Sequence, residues 1–146
     1  MNGNTAVMVL IAENMALAAA MCLVWYILYV VAAWKIFTKA GEAGWKSIIP
    51  FYNTFIQYKI SWNTRMFWVT VLGLFIGKLA IDADNVFIVM LGSVIGMIAL
   101  ITNLIDTYKL SKAFGHGILF MLGLIFINPL FTLILGFGSS KYQGPQ

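Results

Sequence analysis

The chain has 146 residues, 62% of them hydrophobic and 10% charged, with a net charge of +4. A soluble domain carries roughly 25% charged residues and about 45–50% apolar ones, so this composition leaves too little polar surface to coat a soluble particle. Soluble enzymes and nucleic-acid binders are therefore excluded. The positive charges, scattered between apolar runs at a mean hydropathy of +0.92, read as topology signals.

The first apolar run covers Met8 to Ala12 and then Met15 to Trp34, interrupted near its outer end by Glu13 and Asn14. It predicts a span over about residues 8–37, since crossing a hydrocarbon core of roughly 30 Å takes about 20 helical residues. Met1-Asn2-Gly3-Asn4 lacks the basic start of a cleaved leader, so this span is expected to be retained. Cys22 lies inside the run, has no second thiol to pair with, and reads as a small packing residue.

Residues 45–61 differ in kind. At 100° per residue, Trp45, Ile48, Ile49, Phe51, Tyr52, Phe55, Ile56 and Ile60 fall on one half of a helix. Lys46, Ser47, Asn53, Thr54, Gln57 and Ser61 fall on the other. A lipid-spanning helix needs no continuous polar face, whereas one lying in the membrane interface does. The segment predicts an interfacial amphipathic helix, kinked at Pro50, with Trp45, Lys46, Tyr52 and Lys59 at the interface. A shallow re-entrant segment is the alternative.

A second span is expected over about 62–81 and a third over about 86–107, joined by the tight turn Asp82-Ala83-Asp84-Asn85. They carry Gly73-x-x-x-Gly77 and Gly92-x-x-x-Gly96, spacings that let helix backbones approach closely. Counting outward from the turn pairs Gly77 with Gly92 and Gly73 with Gly96. A seam used for oligomerisation is the competing reading. Lys78 is close enough to the outer surface for its ammonium to snorkel there and meet Asp82 at i+4. Asn103 and Asp106 are expected to anchor the inner end of span three, near Lys109. Together with Glu13, these intramembrane polar groups are also the candidates for a polar pathway.

A fourth span is expected over about 118–137, kinked where Asn128-Pro129 interrupts the apolar run. Broken helices at that depth build solute sites in transporters. Seven basic residues flank the loops after spans one and three, while Lys78 and Lys141 lie towards the other side. The bias puts those loops in the cytoplasm and both termini outside. Trp34-Lys35-Ile36-Phe37-Thr38-Lys39-Ala40 also resembles Tyr108-Lys109-Leu110-Ser111-Lys112-Ala113 with one gap, which suggests two copies of one span–elbow–span unit.

Catalysis finds little support. His116 sits at the cytoplasmic elbow and Ser93 in the outer half of span three, too far apart for the contact of roughly 3 Å that a nucleophile and its base need. One His and one Cys do not supply a usual metal or haem ligand set. No catalytic, cofactor or metal residue is expected.

One ordered series of residues carries a resemblance. It comprises Lys39-Ala40-Gly41-Glu42-Ala43-Gly44-Trp45, Ile49-Pro50-Phe51-Tyr52-Asn53, Lys112-Ala113-Phe114-Gly115, and Gly136-Phe137-Gly138 with Tyr142-Gln143-Gly144-Pro145. Together they look like a family of small bacterial multi-pass membrane proteins of unknown function, some labelled signal peptidase I. The resemblance implies a bacterial inner-membrane protein and carries over no catalytic residue. The Ser–Lys chemistry of that peptidase needs an extracytoplasmic β domain for which this chain has no room.

The expectation is an all-α integral membrane protein, one domain over 1–146: a four-span helical bundle with an interfacial amphipathic helix between spans one and two. Its expected role is non-catalytic, an accessory or assembly partner in the lipid bilayer, associating with itself or another membrane protein and not with nucleic acid. The alternative is a small oligomeric channel or transporter.

Overall fold

The computed structural model describes the backbone of residues 3–146 and the side chains of residues 13–146. Helix α1 runs Gly3–Lys39, about 55 Å at 1.5 Å per residue. It stops at Gly41, whose φ of +79° admits glycine and disfavours a side chain. Glu42 N–H bonds Phe37 C=O and Gly41 N–H bonds Thr38 C=O, the pair of backward bonds that closes a helix end. Helix α4 stops the same way: Gly115 has φ +76°, His116 N–H bonds Ser111 C=O and Gly115 N–H bonds Lys112 C=O. The shared Lys-Ala-containing elbow is thus a helix stop signal, and the chain diverges after each copy.

After the first elbow, a 3-10 turn (Gly44–Ser47) precedes α2, Pro50–Ser61. Pro50 is not a kink within a helix over 45–61. It starts α2, at a position where its missing N–H costs nothing. Helices α3 (Thr64–Ile81) and α4 (Val86–Ala113) form an antiparallel hairpin. Asn63 caps α3 by accepting from Arg65 N–H, and Asn85 caps α4 by accepting from Phe87 N–H at 2.9 Å. Within 13–39, within α3 and within α4, the described residues include three helices long and apolar enough to cross a membrane.

The expected fourth span is two helices, α5 (Ile118–Phe126) and α6 (Asn128–Phe137), broken at Ile127 with φ −130° and ψ 51°. Each is about 14–15 Å long, half of a hydrocarbon core of about 30 Å. They fold back on each other. The rings of Phe120 and Phe131 meet edge to face with centroids 5.1 Å apart, where a straight helix would separate these residues by about 16 Å. His116 Nε2 lies 2.7 Å from Ser140 Oγ, although 24 residues of straight helix would span about 36 Å. Residues 118–137 therefore form a helical hairpin that returns to its starting side. The physical reason is Asn128-Pro129: with no proline N–H and a ring clash in the preceding turn, the helix ends and restarts.

Residue contacts fix how the hairpin sits. Gly136 lies against the Ala32 backbone, where a Cβ would come 2.6 Å from Ala32 O. Lys39 Nζ donates to Leu135 O and Gly138 O, both at 2.7 Å. So α6 runs beside the last turns of α1, while α5 packs on α4. The apolar core lies at this same end, built from Ile36, Phe37, Ile56, Ile60, Leu110, Phe114, Leu124 and Leu135. The C-terminal tail crosses it, through Gln143 N–H to Ala113 O (2.7 Å), Gln146 N–H to Ser61 O (3.0 Å) and Tyr142 Oη–H to Ile60 O (2.8 Å). The opposite end is unlike it. Every residue from Glu13 to Leu28 of α1 is exposed, and among the described residues α1 makes no close backbone contact with α3 or α4.

Candidate functional site

The most concentrated polar chemistry lies where α2 crosses α4. Asp106 is fully buried. Its carboxylate accepts from Gln57 Nε2 at 2.9 Å and from Ser61 Oγ, whose hydroxyl is shared with Gln57 C=O. One turn towards the middle of α4, Asn103 Nδ2 is at the limit of reach of Tyr58 Oη, 3.5 Å away, and Tyr58 Oη meets Thr70 Oγ1 at 2.9 Å. Burial pushes the Tyr58 phenol above its ordinary range. Among the described residues both ion pairs lie on Glu42, so Asp106 is held by neutral donors alone. Burying a carboxyl without a counter-charge costs several kcal/mol, and the bonds from Gln57 and Ser61 offset part of that cost.

Gln57 also lines a cavity of about 40 Å³ between α1, α2, α4 and the α5–α6 hairpin. Its polar walls are Tyr29, Asn53, Gln57, Thr107, Asn128 and Thr132, its apolar ones Ile36, Leu110, Leu124 and Leu135 among others. That volume has room for a few waters, at roughly 10–15 Å³ for each. Asn53 Nδ2 donates to Ser47 O at 3.2 Å, and Thr132 Oγ1 donates to Asn128 Oδ1 at 3.3 Å. Asn128, the first residue of α6, therefore links the break in the hairpin to the cavity, and Gln57 links the cavity to Asp106.

The polar stripe of α2 thus has a use that its pattern did not disclose. Asn53, Gln57 and Ser61 turn to the cavity and Asp106, not to water, while Ile56 and Ile60 enter the core. The rim of α2 is charged: Glu42 accepts from Lys46 and from Lys59, each at 2.6 Å. Those two bonds, Lys46 first, hold the Glu42 carboxyl below the usual carboxylate range, and the same contact raises the Lys46 ammonium. Trp45 is half exposed and stacks on Tyr52 at 6.2 Å.

Other expectations separate. Asp106 is inside the protein and not at a helix margin, and Lys109 reaches Gln146 O (2.6 Å) and the Trp62 ring (4.9 Å) instead. Lys78 and Asp82 form no ion pair, because α3 ends at Ile81 and Asp82 is its cap residue. Glu13 stands on the exposed part of α1, distant from the cavity, and Cys22 there is exposed rather than packed. Along the α3–α4 seam, a Cβ on Gly77 would lie 3.1 Å from Gly92 O and 3.1 Å from Gly96 Cα. Gly73 faces Ala99, and Gly92 faces Ala80. Gly77 thus meets Gly92 as expected and Gly96 as well, while Gly73 lies one turn from the expected pairing with Gly96. The His116–Ser140 contact was not foreseen, because a fourth span would have parted the two. Among the described residues no three His, Cys, Asp or Glu side chains converge as metal ligands would.

Three apolar helices long enough to cross a membrane, and a helical hairpin folded back beside them, make an all-helical fold compatible with a membrane protein. The model described as Family of unknown function (DUF5684) matches residues 45–145, and the chain belongs to that family. The match takes in α2 through the C-terminal tail, and so every side chain bonded to Asp106. No curated protein and no solved structure matches.

Proposed function

We propose that this is a non-catalytic, multi-pass protein of a bacterial inner membrane, an assembly partner that docks a transmembrane helix against the outer half of α1. The observation that carries this reading is the exposure of every residue from Glu13 to Leu28. It presents Ala16 and Ala20 four apart, with Ala19 beside them, a small-residue spacing that favours close helix approach in lipid. The base of α1, by contrast, is fixed by Lys39, Gly136 and the core. One end is anchored and the other is available.

The re-entrant hairpin changes the orientation argument. Lys141, beside Ser140, now joins Lys35, Lys39, Lys46, Lys59, Arg65, Lys109 and Lys112 on one side, leaving Lys78 alone opposite. That distribution favours a cytoplasmic C-terminus and an outside N-terminus. It replaces the even-span arrangement with three spans and one hairpin.

Single cysteines scanned through 13–28 in a Cys22→Ser background test the docking reading. Crosslinks recurring with a helical period, to a second copy or to a co-purifying protein, are expected. A flat profile, with no partner of fixed stoichiometry in lipid nanodiscs, would refute it. A small oligomeric channel or transporter is the second reading, favoured by the Asn128–Gln57–Asp106 connection. It requires Asp106→Asn to abolish solute flux in protein that still folds, whereas the assembly reading expects flux to be unaffected.

A further inference from the structure

We propose that the elbow between α4 and α5 binds one anionic phospholipid, its phosphate beside Lys112 and an acyl chain along the start of α5. Two hollows adjoin there. The first, about 430 Å³, is lined by Lys112, Gly115, His116, Gly117, Gln143 and Gln146. The second, about 620 Å³, is lined by Gly117, Ile118, Leu119, Phe120 and Phe131. Gly117 belongs to both, and a Cβ there would meet nothing within 4 Å, so the passage between them is open. One hollow is basic and rich in amides, the other apolar: the two ends of an amphiphile.

The polar hollow is assembled from parts held in place. Gln143 is pinned by its N–H to Ala113 O at 2.7 Å. Its amide closes over Gly115, where a Cβ would come 2.6 Å from Nε2. The His116 ring is fixed twice, by Ser140 Oγ at 2.7 Å and by stacking on Phe120 at 4.2 Å. Lys112 is exposed, and its ammonium sits 5.6 Å from the Tyr108 ring. No Asp or Glu side chain competes for it. Glu42 is taken by Lys46 and Lys59, Asp106 is buried, and Glu13, Asp82 and Asp84 belong to the opposite end.

The apolar hollow begins one residue further on. Ile118 and Leu119 are 62% and 81% exposed, with Phe120 and Phe131 beneath them. In the orientation proposed above, this elbow lies at the cytoplasmic surface, where basic clefts between spans take anionic headgroups. The site rests on that orientation and not on docking through α1. A free phosphate would use the first hollow and leave the second idle.

The test is native mass spectrometry of the delipidated full chain, titrated with phosphatidylglycerol, phosphatidylcholine or inorganic phosphate. Phosphatidylglycerol is expected to be retained over phosphatidylcholine. Lys112→Gln is expected to weaken it about five- to tenfold, the scale of one lysine near an anionic lipid surface. Lys78→Gln, at the other end, should leave it unchanged, and Leu119→Asn should weaken both lipids. All three variants change exposed side chains, and an unaltered melting profile verifies that each still folds. Equal retention of the two lipids, or an unaffected Lys112→Gln, overturns the site. Displacement of phosphatidylglycerol by equimolar inorganic phosphate overturns the lipid assignment in favour of a phosphate site. Wild-type affinity in Leu119→Asn overturns the acyl groove.

Discussion

Gly77 and Gly96 occupy equivalent positions in their two motifs, yet the same substitution should affect them oppositely. A Cβ at Gly77 would lie 3.1 Å from Gly92 O, 3.1 Å from Gly96 Cα and 3.3 Å from Gly96 N. All three are backbone atoms, and ordinary contact is about 3.5–4.0 Å, so Gly77→Ala must part α3 from α4 by about half an ångström. At Gly96 the nearest atom to an added Cβ is Gly77 Cα, 3.9 Å away, already at ordinary contact. Both variants gain alanine's helix preference of about 1 kcal/mol, so that gain cancels between them. What remains is the overpacking cost, about 1–3 kcal/mol. Denaturation of the two variants in mixed detergent micelles should therefore place Gly77→Ala below Gly96→Ala by that amount, with Gly96→Ala at or above wild type. A Gly96→Ala protein as unstable as Gly77→Ala would refute the register of the seam.

Asp106→Ala should destabilise the fold by about 1–3 kcal/mol, because Gln57 Nε2 loses its buried acceptor, and Asp106→Asn should cost less; thermal melts compare them. The Glu42 carboxyl titrates below its unfolded value, so its contribution is present above the ordinary carboxylate range and is lost as pH falls through the lowered native value. Acid titration of Glu42→Gln should lack that limb, worth about 1 kcal/mol or less for a pair at the surface. Burial pushes the Tyr142 phenol up, so its contribution is present below the unfolded value and is lost as pH rises through the native one. Tyr142→Phe should lose about 0.5–1.5 kcal/mol at neutral pH with the bond to Ile60 O, and melts across the alkaline range should flatten. In a Cys22→Ser background, Asp84→Cys and Lys141→Cys should react with an impermeant maleimide from opposite faces of the membrane. Labelling from one face would restore the fourth span.

Hydropathy made the three long helices legible, because a run such as Val86 to Ile105 has no other use in water or lipid. It misled at 118–137, where apolar character is the same for a span and for a hairpin buried in a protein. Asn128-Pro129 marked the place but not the angle, which depends on Phe120, Phe131 and the α1 surface that receives α6. Asp106 was visible as a polar residue in an apolar helix. Its partners were not, because Gln57 and Ser61 lie 45 and more residues away and amphipathic periodicity assigns them to solvent. A carboxyl inside an apolar helix, set against the polar stripe of α2, was the signal that could have joined them.

The hairpin also imposes an order of events on folding. Neither α5 nor α6 is long enough to cross a bilayer, and α6 is held by its contacts with Ala32 and Lys39. Their receptors are the base of α1, about a hundred residues earlier through the Lys39–Leu135 contact, and the end of α4. The three long helices must therefore be inserted before residues 118–137 have anywhere to go. Closing so long a loop is slow relative to pairing neighbours such as α3 and α4. The core and the tail across it are completed in the same late step, so the end of the protein that carries the core is finished last.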